Sequence, residues 1–251
     1  MRVFDADGTE TVEILGAETA TGGGRIRVRS ASGVNAAELS EDPTEGGGEL
    51  WLFNAAGVGT VAIEAQEVAT DGAQVNLYNN AGTLTMTLDA EYGVGGPSRV
   101  TTGTVEITGG SDLSEQFEIN PSDCIGTPEP GMIVCIDPNN PGQLLPSSRS
   151  YDRTVAGIIS GAGGVRPGLL MGQQGSVANG EHPVALTGRV YCMVDAGNGS
   201  VSPGDLITTS NTPGHGMKVT DHEKARGAII GKAMTRLEGG TGLVLVLVSL
   251  Q

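Results

Sequence analysis

The chain has 251 residues, 41 glycines and a formal net charge of −15, and aromatic residues make up only 3% of it. So few aromatics argue against a conventional enzyme core. The 14 Lys and Arg residues provide no basic footprint for nucleic acid or for an anionic membrane surface. Hydrophobic residues, at 38%, are too frequent for a disordered chain. We therefore expect a folded protein whose core is thin, repetitive or shared between subunits.

The first ninety residues contain an internal repeat. Apolar residues occupy the positions seven and five before, and four and six after, a recurring glycine, with one alanine among them. This alternation is the two-residue period of a β-strand with one buried face. The short polar runs before each glycine suit a chain reversal with a positive φ, so each copy is predicted to be a β-hairpin. The glycines are Gly8, Gly33, Gly57 and Gly82, at intervals of 25, 24 and 25 residues.

A single hairpin is not stable in water, and hairpins stacked in one chain would form a ribbon with one apolar face. Three chains wrapped about a common axis would bury those faces together, and the small inward residues suit a narrow interior. The repeat thus predicts an intertwined, homotrimeric shaft, and a monomeric β-solenoid or sandwich is the alternative. The predicted core and trimer-interface residues are Val28, Leu52, Leu77, Ile63 and Leu88.

From residue 111 onward the sequence reads as short strands separated by Gly and Pro. The last run, TGLVLVLVSL, is predicted to be a central, fully buried strand. Short helical turns are expected only near Asp112–Gln116 and Asp221–Arg226. The predicted fold is therefore all-β, with a hairpin-repeat shaft over residues 1–110 and a β-rich head or trimerisation domain over residues 111–251.

The sequence predicts no cofactor and no metal site. The three histidines are scattered, and Cys124, Cys135 and Cys192 lack the spacing of a zinc site. An odd number of cysteines leaves no complete disulfide framework. Cys124 and Cys135 could pair, or both could remain buried thiols.

The hairpins resemble the repeats of phage tail and neck-appendage shafts. Segments such as GGSDLSEQFEI, TVAGIISG, PVALTGRV, SPGDLITTS, GAIIGKAM and VLVLVSLQ resemble a C-terminal module of bacterial and phage fibre proteins. That module is similar to the intramolecular-chaperone autoprotease domains of tail spikes and neck appendages. The resemblance implies a trimeric appendage whose head nucleates assembly of the shaft and, in some relatives, cuts itself off.

Ser111, Asp112 and Glu115 match the pattern at which related autoproteolytic heads cut. A hydroxyl or carboxylate beside a strained peptide bond can attack it, and Glu115 could move the proton. The same residues also read as a helix start, in which Ser111 or Asp112 caps free amides and Glu115 completes a capping box. The same three residues therefore allow two interpretations, a cleavage site and a helix start.

Three functions remain open from the sequence. The first is a structural, homotrimeric fibre or appendage tip that contacts a cell-surface receptor or other fibre components. The second is an intramolecular chaperone that cleaves itself near Ser111–Asp112, and the third is a carbohydrate-binding spike. The lone Trp51 is expected to make a poor sugar platform. The N-terminal MRVFDADGTE has no apolar stretch, so no signal peptide is predicted, and the expected location is extracellular or in a virion.

Overall fold

The computed structural model describes residues 1–16, 23–41, 47–65, 72–92, 96–121 and 127–249. The chain divides into two compact units, Met1–Val105 and Glu106–Gln251, so the boundary falls five residues before the predicted one after residue 110. The predicted all-β fold is confirmed, because the only helical segments described are two 3₁₀ turns, Ala162–Gly164 and Ala196–Asn198. No described helix is long and apolar enough to cross a membrane.

The N-terminal unit is one antiparallel sheet of nine strands, and each strand pairs with the next along the chain. Nothing in the described part of this unit forms a second layer or a solenoid coil. All nine strands pair within one chain, an arrangement that differs from strands intertwined between chains. The strands are β1 (Arg2–Phe4), β2 (Glu10–Leu15), β3 (Arg25–Arg29), β4 (Asn35–Glu41), β5 (Gly48–Phe53), β6 (Gly59–Glu64), β7 (Gln74–Tyr78), β8 (Leu84–Asp89) and β9 (Arg99–Thr102).

Each predicted hairpin closes through the same turn. In the third copy, Gly57 N–H donates to the Asn54 carbonyl at 2.9 Å, and Asn54 Oδ1 accepts the N–H groups of Ala56 and Val58 at 3.0 Å. Gly57 has a φ of 79°, and the equivalent glycines of the other copies have values from 77° to 80°. A register shift just before each turn adds a β-bulge, which is typical of a turn closed by a left-handed glycine.

The repeat places two continuous rows of apolar side chains on one face of the sheet. One row crosses the eight strands β2 to β9 by way of Ile14, Ile26, Leu39, Leu50, Ile63, Val75, Leu88 and Val100. The second row runs beside it through Val3, Val12, Val28, Ala37, Leu52, Val61, Leu77 and Met86. We call this surface the apolar face.

The opposite face is polar and is the better covered of the two. Glu13 is only 4% exposed, and its carboxylate lies 2.9 Å from Arg2, 3.1 Å from Arg29 and 3.4 Å from Arg27. Glu38 lies 2.7 Å from Arg27 on the next strand. Long paired side chains thus shield the polar face, while the described residues of this unit provide no such cover for the apolar face.

The C-terminal unit contains ten strands around a closed barrel. β15, β17, β16, β18 and β19 pair in that order, and β19 pairs back with β15 to close the ring. The strands are β10 (Asp112–Phe117), β11 (Ile133–Ile136), β12 (Leu144–Pro146), β13 (Val155–Ile159), β14 (Leu169–Met171), β15 (His182–Asp195), β16 (Leu206–Thr209), β17 (Gly216–Lys218), β18 (Ile229–Ala233) and β19 (Thr241–Ser249).

Small aliphatic side chains fill the core of this unit. Val190, Val194, Ile207, Ile230 and Val246 are 0–1% exposed within one continuous cluster. A second cluster contains Ile119 together with Val134 of β11, Ile159 of β13 and Val184 of β15. The scarcity of aromatics is accommodated here by close packing of Val and Ile.

Two local predictions are wrong. The last strand is central, between β15 and β18, but it is not fully buried, because Leu243 and Leu247 are 43% and 44% exposed. A strand in a closed barrel has an inside and an outside, so only alternate residues can enter the core. The helical turn expected near Asp112–Gln116 is strand β10, whereas residues 222–227 do form turns that begin at Asp221.

We predict that Gly82→Ala lowers the free energy of unfolding by about 1–2 kcal/mol, since Gly82 has a φ of 77° and an added Cβ would be in ordinary contact at 3.4 Å. Gly48→Ala is the matched control, because its Cβ would meet nothing within 4 Å and its φ is not positive. Chemical denaturation of both variants measures the difference. Equal stabilities would show that the left-handed turn is not required.

Candidate functional site

Ser111, just before β10, is hydrogen-bonded to chain segments on both of its sides. Its hydroxyl donates to the Arg189 carbonyl at 2.8 Å, and its own carbonyl accepts the Arg189 N–H at 3.0 Å. Its N–H donates to the Arg166 carbonyl at 3.1 Å. Gly188 permits this approach, because a Cβ there would lie 2.6 Å from both the Ser111 carbonyl oxygen and Asp112 Cα. The backbone around the candidate cleavage bond is therefore fixed on both sides.

Asp112 is 5% exposed and faces the interior of the C-terminal unit. Its carboxylate accepts hydrogen bonds from the hydroxyls of Ser114 and Ser160, which are 0% and 2% exposed. Buried carboxylates require such donors, because an uncompensated charge in the interior is very costly. These three residues form a buried polar cluster that ties β10 to the end of β13.

Strand alternation separates the three predicted cleavage residues. Asp112 and Ser114 lie on the buried side of β10, so Glu115 projects from the opposite side. Ser111 and Asp112 make their hydrogen bonds with other partners within the described residues, and none of these bonds involves Glu115. The capping-box interpretation is wrong: the segment is extended, and Ser111 donates to a carbonyl rather than accepting amides.

The five predicted interface residues do share one surface. Val28, Leu52, Ile63 and Leu88 are 40–43% exposed on the apolar face, and Leu77 is half-buried among them. The hydrogen-bonded register connects all of them across strands β3 to β8. Only Ala62 is a fully buried hydrophobic residue in the described part of this unit, and it lies on the polar side.

The two described cysteines are buried free thiols. Burial raises the pKa of Cys192 to about 12, and burial together with the nearby Asp152 charge raises that of Cys135 to about 12. Cys124, for which the sequence allows either a disulfide with Cys135 or a free thiol, lies outside the described residues. Among the described residues, no group of three or more His, Cys, Asp or Glu side chains could hold a metal ion.

An aromatic cluster on the polar face was missed by the sequence reading. The rings of Trp51 and Tyr78 stack with centroids 5.6 Å apart and planes 30° apart. The Phe53 ring lies 6.3 Å from Trp51 at 31°. Trp51 Nε1 donates to Glu49 Oε2 at 2.9 Å, which fixes the indole. The three rings line a cavity of about 460 Å³ together with Glu38, Glu49, Val58, Gly59 and Gly82. We call this the aromatic cavity.

The signal for this cavity lies in how one repeat departs from the others. The position of Trp51 is held by Arg2, Arg27 and Asn76 in the other copies, and that of Gly59 by Glu10, Asn35 and Leu84. A Cβ on Gly59 would lie 2.8 Å from the indole, so only glycine leaves room for Trp51 to lie across β6. A comparison of the copies position by position would have located the site.

The fold and the site geometry define an all-β protein with a hairpin-repeat sheet and a separate β-barrel unit. No protein-family model matches the chain, and neither a curated protein nor a solved structure gives a significant match. A function for this chain is therefore inferred from its described residues.

We predict that a Cys124→Ser variant resists thiol-labelling reagents at pH 8, because both remaining thiols are buried and stay protonated. Full unfolding in guanidinium should release two reactive thiols. Above about pH 9, the unfolded thiols ionise and the native ones do not, so the contribution of these thiols to the free energy of unfolding falls as pH rises towards 12. Rapid native labelling would contradict the burial of Cys135 and Cys192.

Proposed function

We propose that this protein is a structural component of a trimeric fibre or appendage, in which three N-terminal sheets share one core. One observation carries the proposal: the apolar face spans nine strands and the described residues of its unit leave it uncovered, while Ala62 is the only fully buried hydrophobic residue among them. Soluble monomers rarely expose large contiguous apolar patches, and such patches mark interaction surfaces. A second and a third copy of the chain have the same apolar face, so three copies can bury these faces against one another.

The width of the apolar face favours three sheets over two. Its two rows lie two residues apart along each strand, so the stripe is only about 7 Å wide. Two sheets packed face to face would leave most of their area uncovered. Three sheets can each turn a narrow stripe towards a common axis, where Val, Ile, Leu and Ala fit. The eight strand spacings give a shared core about 38 Å long.

The C-terminal unit also has an exposed apolar stripe. Leu243 and Leu247 lie on the outside of β19, and Leu245 between them is half-buried. Tyr191 and Met193 of β15 lie directly opposite Leu245 and Leu243 in the register. This outer stripe supports the proposal that the C-terminal unit contacts its own copies and acts as the trimerisation head.

Self-cleavage remains an alternative that no observed geometry favours. Ser111 and Asp112 lie in a hydrogen-bonded strand, and Glu115 projects from the other side of it. General acid–base catalysis requires the proton acceptor within hydrogen-bond reach of the attacking group. We therefore assign Ser111 and Asp112 a structural role in the proposed fibre. Ser111 hydrogen-bonds to the backbone of the neighbouring strand, and Asp112 belongs to the buried polar cluster.

Native mass spectrometry followed by denaturing mass spectrometry on the same sample tests both functions. We expect a threefold mass built from intact chains. A threefold mass whose chains separate into two pieces at the Ser111–Asp112 bond would establish the autoprotease instead. A monomer or a dimer of intact chains would overturn the three-sheet core.

Leu52→Asp is predicted to abolish the trimer, because three carboxylates would meet at one axis without partners. Thr101→Asp adds the same charge at an exposed position on the polar face of β9 and should leave the trimer intact. Light scattering gives the oligomeric state, and circular dichroism checks that each variant is folded. If Leu52→Asp does not fold, the uncharged Leu52→Asn variant provides a milder test at the same position. A folded, trimeric Leu52→Asp protein would show that Leu52 faces elsewhere.

A further inference from the structure

We propose that residues 104–108 of each chain add as a tenth strand to the free edge of β9 in a neighbouring copy. We call these residues, TVEIT in the sequence, the junction segment. The inference rests on the proposed function, since it requires a second copy of the chain. It specifies which backbone groups the copies share where each nine-stranded sheet ends.

The junction segment has the composition of a β-strand but no partner strand. Thr, Val and Ile, which favour strands, occupy four of its five positions. Within the described residues, none of its N–H or C=O groups makes a backbone–backbone hydrogen bond. Val105 and Ile107 are 70% and 43% exposed. An extended, unpaired segment of this kind can complete an open sheet edge in another chain.

β9 has a free edge of matching length. It is the last strand of the nine-stranded sheet, and among the described strands it pairs only with β8. Its residues Arg99–Thr102 therefore present N–H and C=O groups along one side without a hydrogen-bonded neighbour. Val100 is 59% exposed, more than any other residue in its row of the apolar face. A strand added at this edge would cover Val100.

The chain does not fold its own junction segment back onto β9, and the turn residues explain why. Each repeat hairpin reverses through a glycine with a φ of 77–80°, whereas the φ of Gly103 is not positive. Three residues before each hairpin glycine, a polar side chain accepts N–H groups of the turn, but Val100 stands at that position before Gly103. Those polar residues are Asp5, Ser30, Asn54 and Asn79. The segment and the β9 edge of one chain thus both stay open, and a second copy can supply the partner of each.

The side chains of the junction segment fit β9 on both faces of the sheet. With Val105 and Ile107 on the apolar face, Glu106 lies on the polar face, which also carries the exposed Arg99. The added strand then extends the apolar row beyond Val100 and brings a carboxylate to the face of the arginine. The contact is heterologous, so it closes when every copy donates one segment and accepts another. Three copies around one axis meet that condition.

Hydrogen exchange on the assembled, unaltered protein tests the pairing. We expect amides of the junction segment to exchange at least about a hundredfold more slowly than in the unfolded chain, because the pairing must open before exchange. An unpaired, exposed segment would exchange at close to the unfolded rate. Mass spectrometry of peptic peptides that cover the segment gives the rates.

Disulfide cross-linking identifies the chain that supplies the partner. Two Cys124→Ser chains are coexpressed, one tagged and carrying Val100→Cys, the other carrying Val105→Cys or, separately, Ile107→Cys. Directly paired residues lie about 4.5–5.5 Å apart at Cα, which a disulfide can span. At least one combination should therefore give a cross-linked pair of unlike chains on a denaturing gel. Thr104→Cys is the matched control, because Thr104 projects from the opposite side of an extended strand.

Strand exchange is overturned if the junction amides of folded trimers exchange at the unfolded rate. It is also overturned if neither cysteine pair cross-links more than the Thr104→Cys control, with circular dichroism checking that the variants are folded. Native mass spectrometry separates these outcomes from failure of the proposed function. A trimer with neither protection nor cross-links rejects the strand exchange and leaves the three-sheet core. Cross-linked assemblies with another number of copies reject the three-sheet core and leave the exchange standing, and a monomer rejects both.

Discussion

The N-terminal unit depends on one backbone constraint, the left-handed glycine that closes each hairpin. With Gly33, Gly57 and Gly82 at φ values of 77–80°, the two strands of each hairpin pair in one fixed register. A slip of one residue would move every apolar side chain to the other face. Because the repeat length is nearly constant, the same register recurs from β1 to β9, and the apolar residues align in unbroken rows.

These rows give the unit an unusual distribution of burial. Its most deeply buried side chains include Glu13, Gln74, Asn76 and Asp89, whereas its Ile, Val and Leu residues are half-buried or exposed. Globular domains normally show the reverse. Hydrogen bonds and ion pairs satisfy the buried polar groups, but they contribute modest net stability. Burial of the apolar face is the largest further stabilisation open to this unit, and this face is the surface that we propose for contact with partner chains.

The sequence predicted those features of the fold that follow from local periodicity. The two-residue alternation and the turn glycines located the four hairpins and placed Val28, Leu52 and Ile63 on one face. The sequence did not predict the features that depend on tertiary contacts. The residues Ser111–Glu115 match the sequence pattern of a helix N-cap. In the fold they are extended, and the buried hydroxyls of Ser114 and Ser160 donate hydrogen bonds to the Asp112 carboxylate in β10. The apolar run of β19 does not reveal that the barrel closes, and closure exposes Leu243 and Leu247.

The aromatic cavity was missed for a different reason. Trp51 is the only tryptophan in the sequence, whereas the folded sheet brings three rings together from positions 51, 53 and 78, and Gly59 of β6 leaves room for the indole. Composition counts residues without their neighbours, so an aromatic content of 3% does not reveal that three of the rings lie together. The positions of the rings matter more than their number. A sheet built from repeats keeps its geometry when one copy changes, because the other copies maintain the strand pairing. A few aromatic rings in the changed copy can therefore form a cluster without disturbing the sheet.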